Sequence, residues 1–285
     1  MSASDVTLKI VSWNIHQRDE PWRALLDTGA DVALLQEASQ PPVDVADRVR
    51  LDPKTSWKTA GSRRPWCATV AGLSDRVDLT FEPPVVSLGD PGGLGVSRNG
   101  TLAVARATVR ATGETFTLAS MYACWERPLS AEQGGWIFAD ASVHRLISDL
   151  APLIATQTGH KIIAAGDLNS LRGYGENGSP YWARRYNSIF ARMEAMGLPF
   201  AGPELPDGGL PPADRPSELP ADSLTVPSFR RKMDDHATAT RQLDFAFASQ
   251  GLLSRLRVVA WNSLAEWGPS DHCRVFIDVL GQEHA

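Results

Sequence analysis

The chain has 285 residues, 43% of them hydrophobic and 21% charged, with a formal net charge of −5. This composition supports a sizeable core and excludes a disordered chain. It also lacks the overall basicity that marks a dedicated polyanion binder, although a local basic face would be enough to hold phosphates. Cys67, Cys124 and Cys273 are widely spaced without a CxxC, which argues against a disulfide framework or a structural zinc site. The first residues show no basic-then-apolar leader, and no apolar run approaches a membrane span. A soluble, cytoplasmic protein with reduced thiols and no membrane partner is expected, and no protein partner can be inferred.

In chain order, Leu8–Trp13 predicts a strand ending in Asn14, and Pro21–Leu26 a short helix with Pro21 at its first position. Val32–Leu35 reads as a buried strand and Ala68–Ala71 as a strand. Leu102–Arg110 and Thr115–Met121 alternate around Thr112–Gly113 as a hairpin. From Trp136 to Ile154, apolar residues recur at helical spacing (Ala139, Val143, Ile147, Leu150). Lys161–Ala165 is a strand broken by Gly166–Asn169, and Tyr181–Met196 a helix. A Pro/Gly-rich stretch at about 199–227 has no periodicity and is expected to be a long loop. Gln242–Ala248, Leu256–Ala260 and Arg274–Leu280 complete the strands. Strands dominate and helices are few, so the expected architecture is one α/β domain over residues 1–285, a four-layer α/β/β/α sandwich of two mixed sheets flanked by helices.

Polar groups fall repeatedly at strand ends. Asn14, Glu37, Tyr122, Asp167 and Asn169 each close an apolar run, Asp271–His272 precede the last strand, and Asp244 lies in Gln242–Ala248. Strand ends along one edge of a sandwich can converge into one cleft. Carboxylates, an amide, a phenol and an imidazole there suit a hard, oxygen-preferring cation such as Mg²⁺ or Mn²⁺.

The segments Trp13–Asn14–Ile15, Gln36–Glu37, Gly166–Asp167–Leu168–Asn169, Gln242–Leu243–Asp244–Phe245 and Ser270–Asp271–His272 resemble, in order and nearly end to end, the signature set of the endonuclease/exonuclease/phosphatase superfamily. The resemblance implies metal-assisted attack of water on a phosphate ester. It implies that Glu37 ligates Mg²⁺ (or Mn²⁺), with Asn14 at the metal or its waters and Asp271 a further ligand. By the same resemblance Asp167 orients or deprotonates the attacking water and Asn169 holds a phosphate oxygen. His272 contacts the scissile phosphate, Asp244 fixes its tautomer, and Tyr122 hydrogen-bonds the phosphate. His16 stands where some relatives carry an acidic residue and is expected at the cleft.

The resemblance leaves the substrate open. Tyr181–Tyr186 interleaves Trp182 with Arg184 and Arg185, a pattern suited to base stacking and phosphate contact or to an ordinary helix face. Arg230 and Arg231 could grip a backbone. Trp125 occupies the position where apurinic endonucleases carry an asparagine, which counts against abasic-site specificity. A nuclease acting on DNA or RNA is the leading expectation. The alternatives are a phosphatase or phosphodiesterase for a small-molecule or lipid-headgroup phosphate and, with every expected catalytic position filled, a less favoured inactive binding module.

Overall fold

The computed structural model describes residues 6–59, 64–85, 93–125, 139–155 and 159–281. The strands, in chain order, begin with β1 (Val6–Asn14), β2 (Val32–Ala38), β3 (Arg50–Leu51), β4 (Cys67–Gly72) and β5 (Val77–Glu82). Then come β6 (Pro84–Val85), β7 (Leu94–Gly95), β8 (Leu102–Val109), β9 (Thr115–Tyr122) and β10 (Ile162–Asp167). The last are β11 (Phe200–Gly202), β12 (Phe229–Lys232), β13 (Asp235–Arg241), β14 (Asp244–Ala248), β15 (Leu256–Trp261) and β16 (Arg274–Leu280). Among the helices are α1 (Asp19–Leu25), α2 (Val43–Ala46), α3 (Ala139–Ala155) and α4 (Pro180–Ala195).

Two six-stranded mixed sheets carry the fold, in the orders β15-β16-β1-β2-β4-β3 and β11-β14-β10-β9-β8-β5. Their alternation divides three layers of core. Leu8, Ile10, Val32 and Leu34 of the first sheet meet Leu118, Ile163, Ala165 and Ala246 of the second between the sheets. The intervening residues Val11, Trp13, Ala33 and Leu35 face Trp22 and Leu25 of α1. Ala119, Ile162, Ala164 and Phe247 face Val143, Ile147 and Leu150 of α3 and Ile189 and Met193 of α4. Strands covered on both faces read as continuous apolar runs, which is why the α/β/β/α order was legible. Each fully buried aliphatic or Phe side chain contributes about 1.5–3 kcal/mol.

Three expectations need correction. Pro21 is the third residue of α1, not the first; the first turn leaves its N–H groups without intrahelical acceptors, so proline is tolerated there as well. The long loop is interrupted by β11, which pairs Phe200 with Phe247 and Gly202 with Ala246, so the loop proper runs 203–228. The hairpin β12–β13 was not expected at all. Its charged run hides the alternation that announces a strand. The helix start at Trp136 lies outside the described residues. Among the described residues no helix is long and apolar enough to cross a membrane.

Candidate active site

Strand register assembles the site. In the second sheet Asp167 pairs with Tyr122 across the parallel β9–β10 ladder and with Asp244 across the antiparallel β10–β14 ladder. Three neighbouring strands therefore present Tyr122, Asp167 and Asp244 in one row, about 4.8 Å apart from strand to strand. In the first sheet Asn14 pairs with Gln36. His272 lies two residues before Arg274, the first residue of β16, and its carbonyl accepts from Trp13 Nε1 (2.9 Å). Gly166, beside Asp167 in β10, lets β9 and β10 approach closely in the row of Tyr122, Asp167 and Asp244. Its φ is +156°, and a Cβ there would fall 1.9 Å from the Met121 carbonyl oxygen.

The two rows meet at Asp167. Its Oδ2 accepts from Asn14 Nδ2 (3.0 Å) and Asn169 Nδ2 (3.1 Å), and its Oδ1 from the Asn169 backbone N–H (2.9 Å). Asn169 also donates to the Ala123 carbonyl (3.0 Å). Its amide hydrogens are thus directed at Asp167 and the backbone in this structure. His272 Nδ1 lies 2.7 Å from Asp244 Oδ2 and donates to it, which leaves Nε2 facing Asp167 Oδ2 at 3.8 Å.

Sequence reasoning missed what holds Asp244. Ser228 Oγ donates to Asp244 Oδ2 (2.6 Å) and accepts from the Leu243 and Asp244 backbone N–H groups (3.0 Å each). Nothing in the Pro-Ser-Phe context of Ser228 signals this. Ser270 Oγ similarly donates to the Asn14 carbonyl (2.7 Å), tying the Ser-Asp-His segment to β1.

Burial and charge set the protonation of the pair. Burial raises Asp167 to about 7 against the pull of the neighbouring His272. For His272 burial alone would lower the pKa. The carboxylates of Asp244 and Asp167 outweigh it and raise the group to about 10. The imidazole is therefore an imidazolium at neutral pH, and Asp167 titrates near neutrality.

Glu37 occupies the neighbouring corner. Its Oε1 accepts from Tyr122 O–H (2.9 Å) and its Oε2 from Gln17 Nε2 (3.0 Å). Burial foremost, then the Glu37 charge, pushes the Tyr122 phenol well above its usual range, so it stays a donor. His16 Nδ1 lies 3.4 Å from Asp271 Oδ2, and its backbone N–H donates to Asn14 Oδ1 (3.0 Å). His16, Gln17, Glu37 and Asn169 all have positive φ, between 46° and 59°. Such outliers cost about 1–3 kcal/mol each and gather at functional sites.

Among the described residues no three His, Cys, Asp or Glu side chains form a closed metal cage. An oxygen-rich, carboxylate-heavy corner with few protein ligands still fits Mg²⁺, which keeps several waters and takes one or two carboxylates plus substrate oxygens. Glu37 is the half-buried carboxylate open to such an ion. It has only neutral hydrogen-bond donors and, among the described residues, no salt bridge.

The rim differs from expectation. Arg185 pairs with buried Asp140 (2.7 Å) and lies over the Trp182 ring, so it holds α4 to α3 and is not presented to a substrate. Arg230 is 9% exposed; its guanidinium donates to the Ser270 carbonyl (2.9 Å) and stacks over Trp267. It anchors the β12–β13 hairpin beside the site, where Phe229 packs on the His272 ring at 5.0 Å. Arg184 and Arg231 are exposed. Trp125 is half-buried, and its carbonyl accepts from Arg64.

Comparison with known proteins places the whole chain beside others. No curated protein matches the chain. Among solved structures it is similar to the AP endonuclease LMAP of Leishmania major (TM-score 0.64, 14% identity, 99% of this chain and 90% of that one). It is also similar to the APE2 catalytic domain of Xenopus laevis (TM-score 0.61, 14% identity, 98% and 94%). A further match is the endonuclease domain of TRAS1, a telomere-specific non-LTR retrotransposon (TM-score 0.58, 15% identity, 97% and 100%). At these identities the likeness shows the shared fold. The family model for endonuclease/exonuclease/phosphatase proteins matches residues 11–272, which span the motifs from Trp13 to His272, and the chain belongs to that family.

Proposed function

We propose that the chain is a divalent-metal-dependent phosphodiester hydrolase whose leading substrate is nucleic acid. The carrying observation is the convergence of Asn14, Asp167, Asp244 and His272, joined by hydrogen bonds and one ion pair, beside Glu37 and Tyr122. Glu37 would hold Mg²⁺ or Mn²⁺, with Asn14 and Asp271 the further ligands that the family motifs imply. When bound, the ion would neutralise charge developing on phosphoryl oxygens.

The side chains divide the remaining work. His272, charged and locked through Nδ1 to Asp244, offers its Nε2–H to a phosphate oxygen and is a poor base at neutral pH. Asp167, raised to about 7, suits abstraction of a proton from the attacking water, because a base works best with its pKa near the working pH. Asn14 and Asn169 hold that carboxylate in one orientation. Two of the structural neighbours, the TRAS1 domain and the Leishmania major protein, are described as endonucleases, which supports a nucleic-acid substrate.

One observation favours the alternative, a phosphatase or phosphodiesterase for a small-molecule or lipid-headgroup phosphate. Two of the four arginines expected to grip a backbone, Arg185 and Arg230, are engaged inside the protein. A panel of plasmid DNA, single-stranded DNA, RNA and a simple phosphodiester decides between the two readings. Metal-dependent cleavage of a polymer, weakened steeply by salt, is the expected result. Hydrolysis of the simple ester alone would overturn the nucleic-acid reading.

A further inference from the structure

We infer that Gln17 is the positioning residue of the metal-binding carboxylate, the group that keeps Glu37 aimed into the cleft when substrate draws Tyr122 away. This inference rests on the reading of Glu37 as a metal ligand. Gln17 grips the end of β2 at several points. Its Nε2 donates to Glu37 Oε2 (3.0 Å), its backbone N–H to the Glu37 carbonyl (3.0 Å), and its own carbonyl accepts from Ser39 Oγ (3.4 Å).

The backbone at this contact is held in a conformation that only glycine takes freely. Gln17 has φ +59° and Glu37 φ +47°. Gln17 is also exposed, so core packing does not explain the strain. The side chain it places there is a neutral amide. A lysine or arginine would hold the carboxylate equally well but bring a positive charge that competes with the cation. An amide orients Glu37 and leaves the remaining carboxylate lone pairs open.

Tyr122 cannot do the same throughout a reaction. It has one O–H, which it gives to Glu37 Oε1 here. A phosphate oxygen that accepts that hydrogen removes it from Glu37. Gln17 then remains as the side-chain donor that the structure shows on the other oxygen. Partners of metal ligands of this kind typically change affinity by about 10–100-fold when removed.

The test is Mn²⁺ binding by the full chain, read from the electron paramagnetic resonance signal of free Mn²⁺, alongside thermal melts. Gln17→Met keeps the length and loses the donor; Gln17→Gly loses the donor and relieves the backbone. Both should weaken Mn²⁺ binding by at least ~10-fold. Gln17→Gly should melt within ~3 °C of the wild type. Affinities within twofold of wild type in both variants, while Glu37→Ala loses binding, would overturn the role of Gln17 and leave the site standing. Weakened binding accompanied by lower melting temperatures in both would assign the loss to structure and overturn the inference as well. Unchanged binding in Glu37→Ala would remove the metal assignment itself, and this inference with it.

Discussion

Gly166→Ala should damage the site from behind, without touching any group that meets substrate. An alanine Cβ at this position falls 1.9 Å from the Met121 oxygen, 2.8 Å from its carbonyl carbon and 3.0 Å from Gln36 Nε2. An ordinary C···O contact is about 3.3 Å, so about 1.4 Å of overlap must be relieved. The obstacle is backbone, in register opposite Gly166 on the parallel strand β9, so the strands must part or β10 must shift. Overpacking of this kind costs about 1–3 kcal/mol, and the sparsely populated φ adds about 1–3 kcal/mol. The sum, about 2–6 kcal/mol, is a large part of an ordinary stability of about 5–15 kcal/mol. Asp167 is the next residue, and a displacement near 1 Å at a reacting group lowers a rate by about 100-fold. Urea denaturation followed by tryptophan fluorescence reads the stability, and hydrolysis of a phosphodiester reads the placement of Asp167. Gly113→Ala is the control. Gly113 also has positive φ (+70°), in the β8–β9 turn, but has nothing within 4 Å of its would-be Cβ. It gives the cost of an alanine at positive φ where no atom obstructs the Cβ. A Gly166→Ala protein no less stable than Gly113→Ala would refute the steric reasoning.

Ser228→Ala strips a buried hydroxyl from Asp244 and orphans two backbone N–H groups, and should destabilise by about 1–3 kcal/mol; a shift below about 0.5 kcal/mol in denaturation would count against the network. Arg230→Ala should lower stability by removing a stacked, carbonyl-bound anchor. Arg231→Ala should leave stability within about 0.5 kcal/mol and, with a polymeric substrate, lessen the salt dependence of binding. Equal effects of the two on stability would contradict the assigned burial. His272 has a folded pKa of about 10, above its ordinary 6.5, so the stability it contributes is complete below about pH 6.5 and is lost as pH rises through about 10. Denaturation curves should therefore show the wild type losing more stability than His272→Gln between pH 6.5 and 10, and parallel profiles would refute the raised pKa.

The four layers were readable because β1, β2, β9 and β10 are apolar on both faces and short. The acidic and amide residues at their ends were readable because each interrupts such a run. Register then made the cluster. Asp167 opposite Tyr122 and Asp244 follows from strand order, which residue types alone do not specify. What escaped notice was polar and local. The β12–β13 hairpin is carried by Arg230 stacking on Trp267, so a charged residue occupies a core-facing position and its charge disguises the strand. Arg185 looked available and is bound to Asp140, a residue some forty-five positions earlier, in a pairing that exists only after α3 and α4 pack. Ser228 and Gln17 act through hydrogen bonds whose partners are distant in sequence, and nothing in composition or periodicity marks such residues.

Metal-assisted phosphoester hydrolysis at this cleft is read from the rate of phosphodiester hydrolysis in Mg²⁺ or Mn²⁺ against EDTA, for the wild type, Glu37→Ala and His272→Ala at matched folded concentration. Hydrolysis by the wild type that stops in EDTA and falls by at least about 100-fold in both variants is the expected result. Hydrolysis that survives EDTA, or that either variant retains in full, would place the chemistry elsewhere and contradict the account.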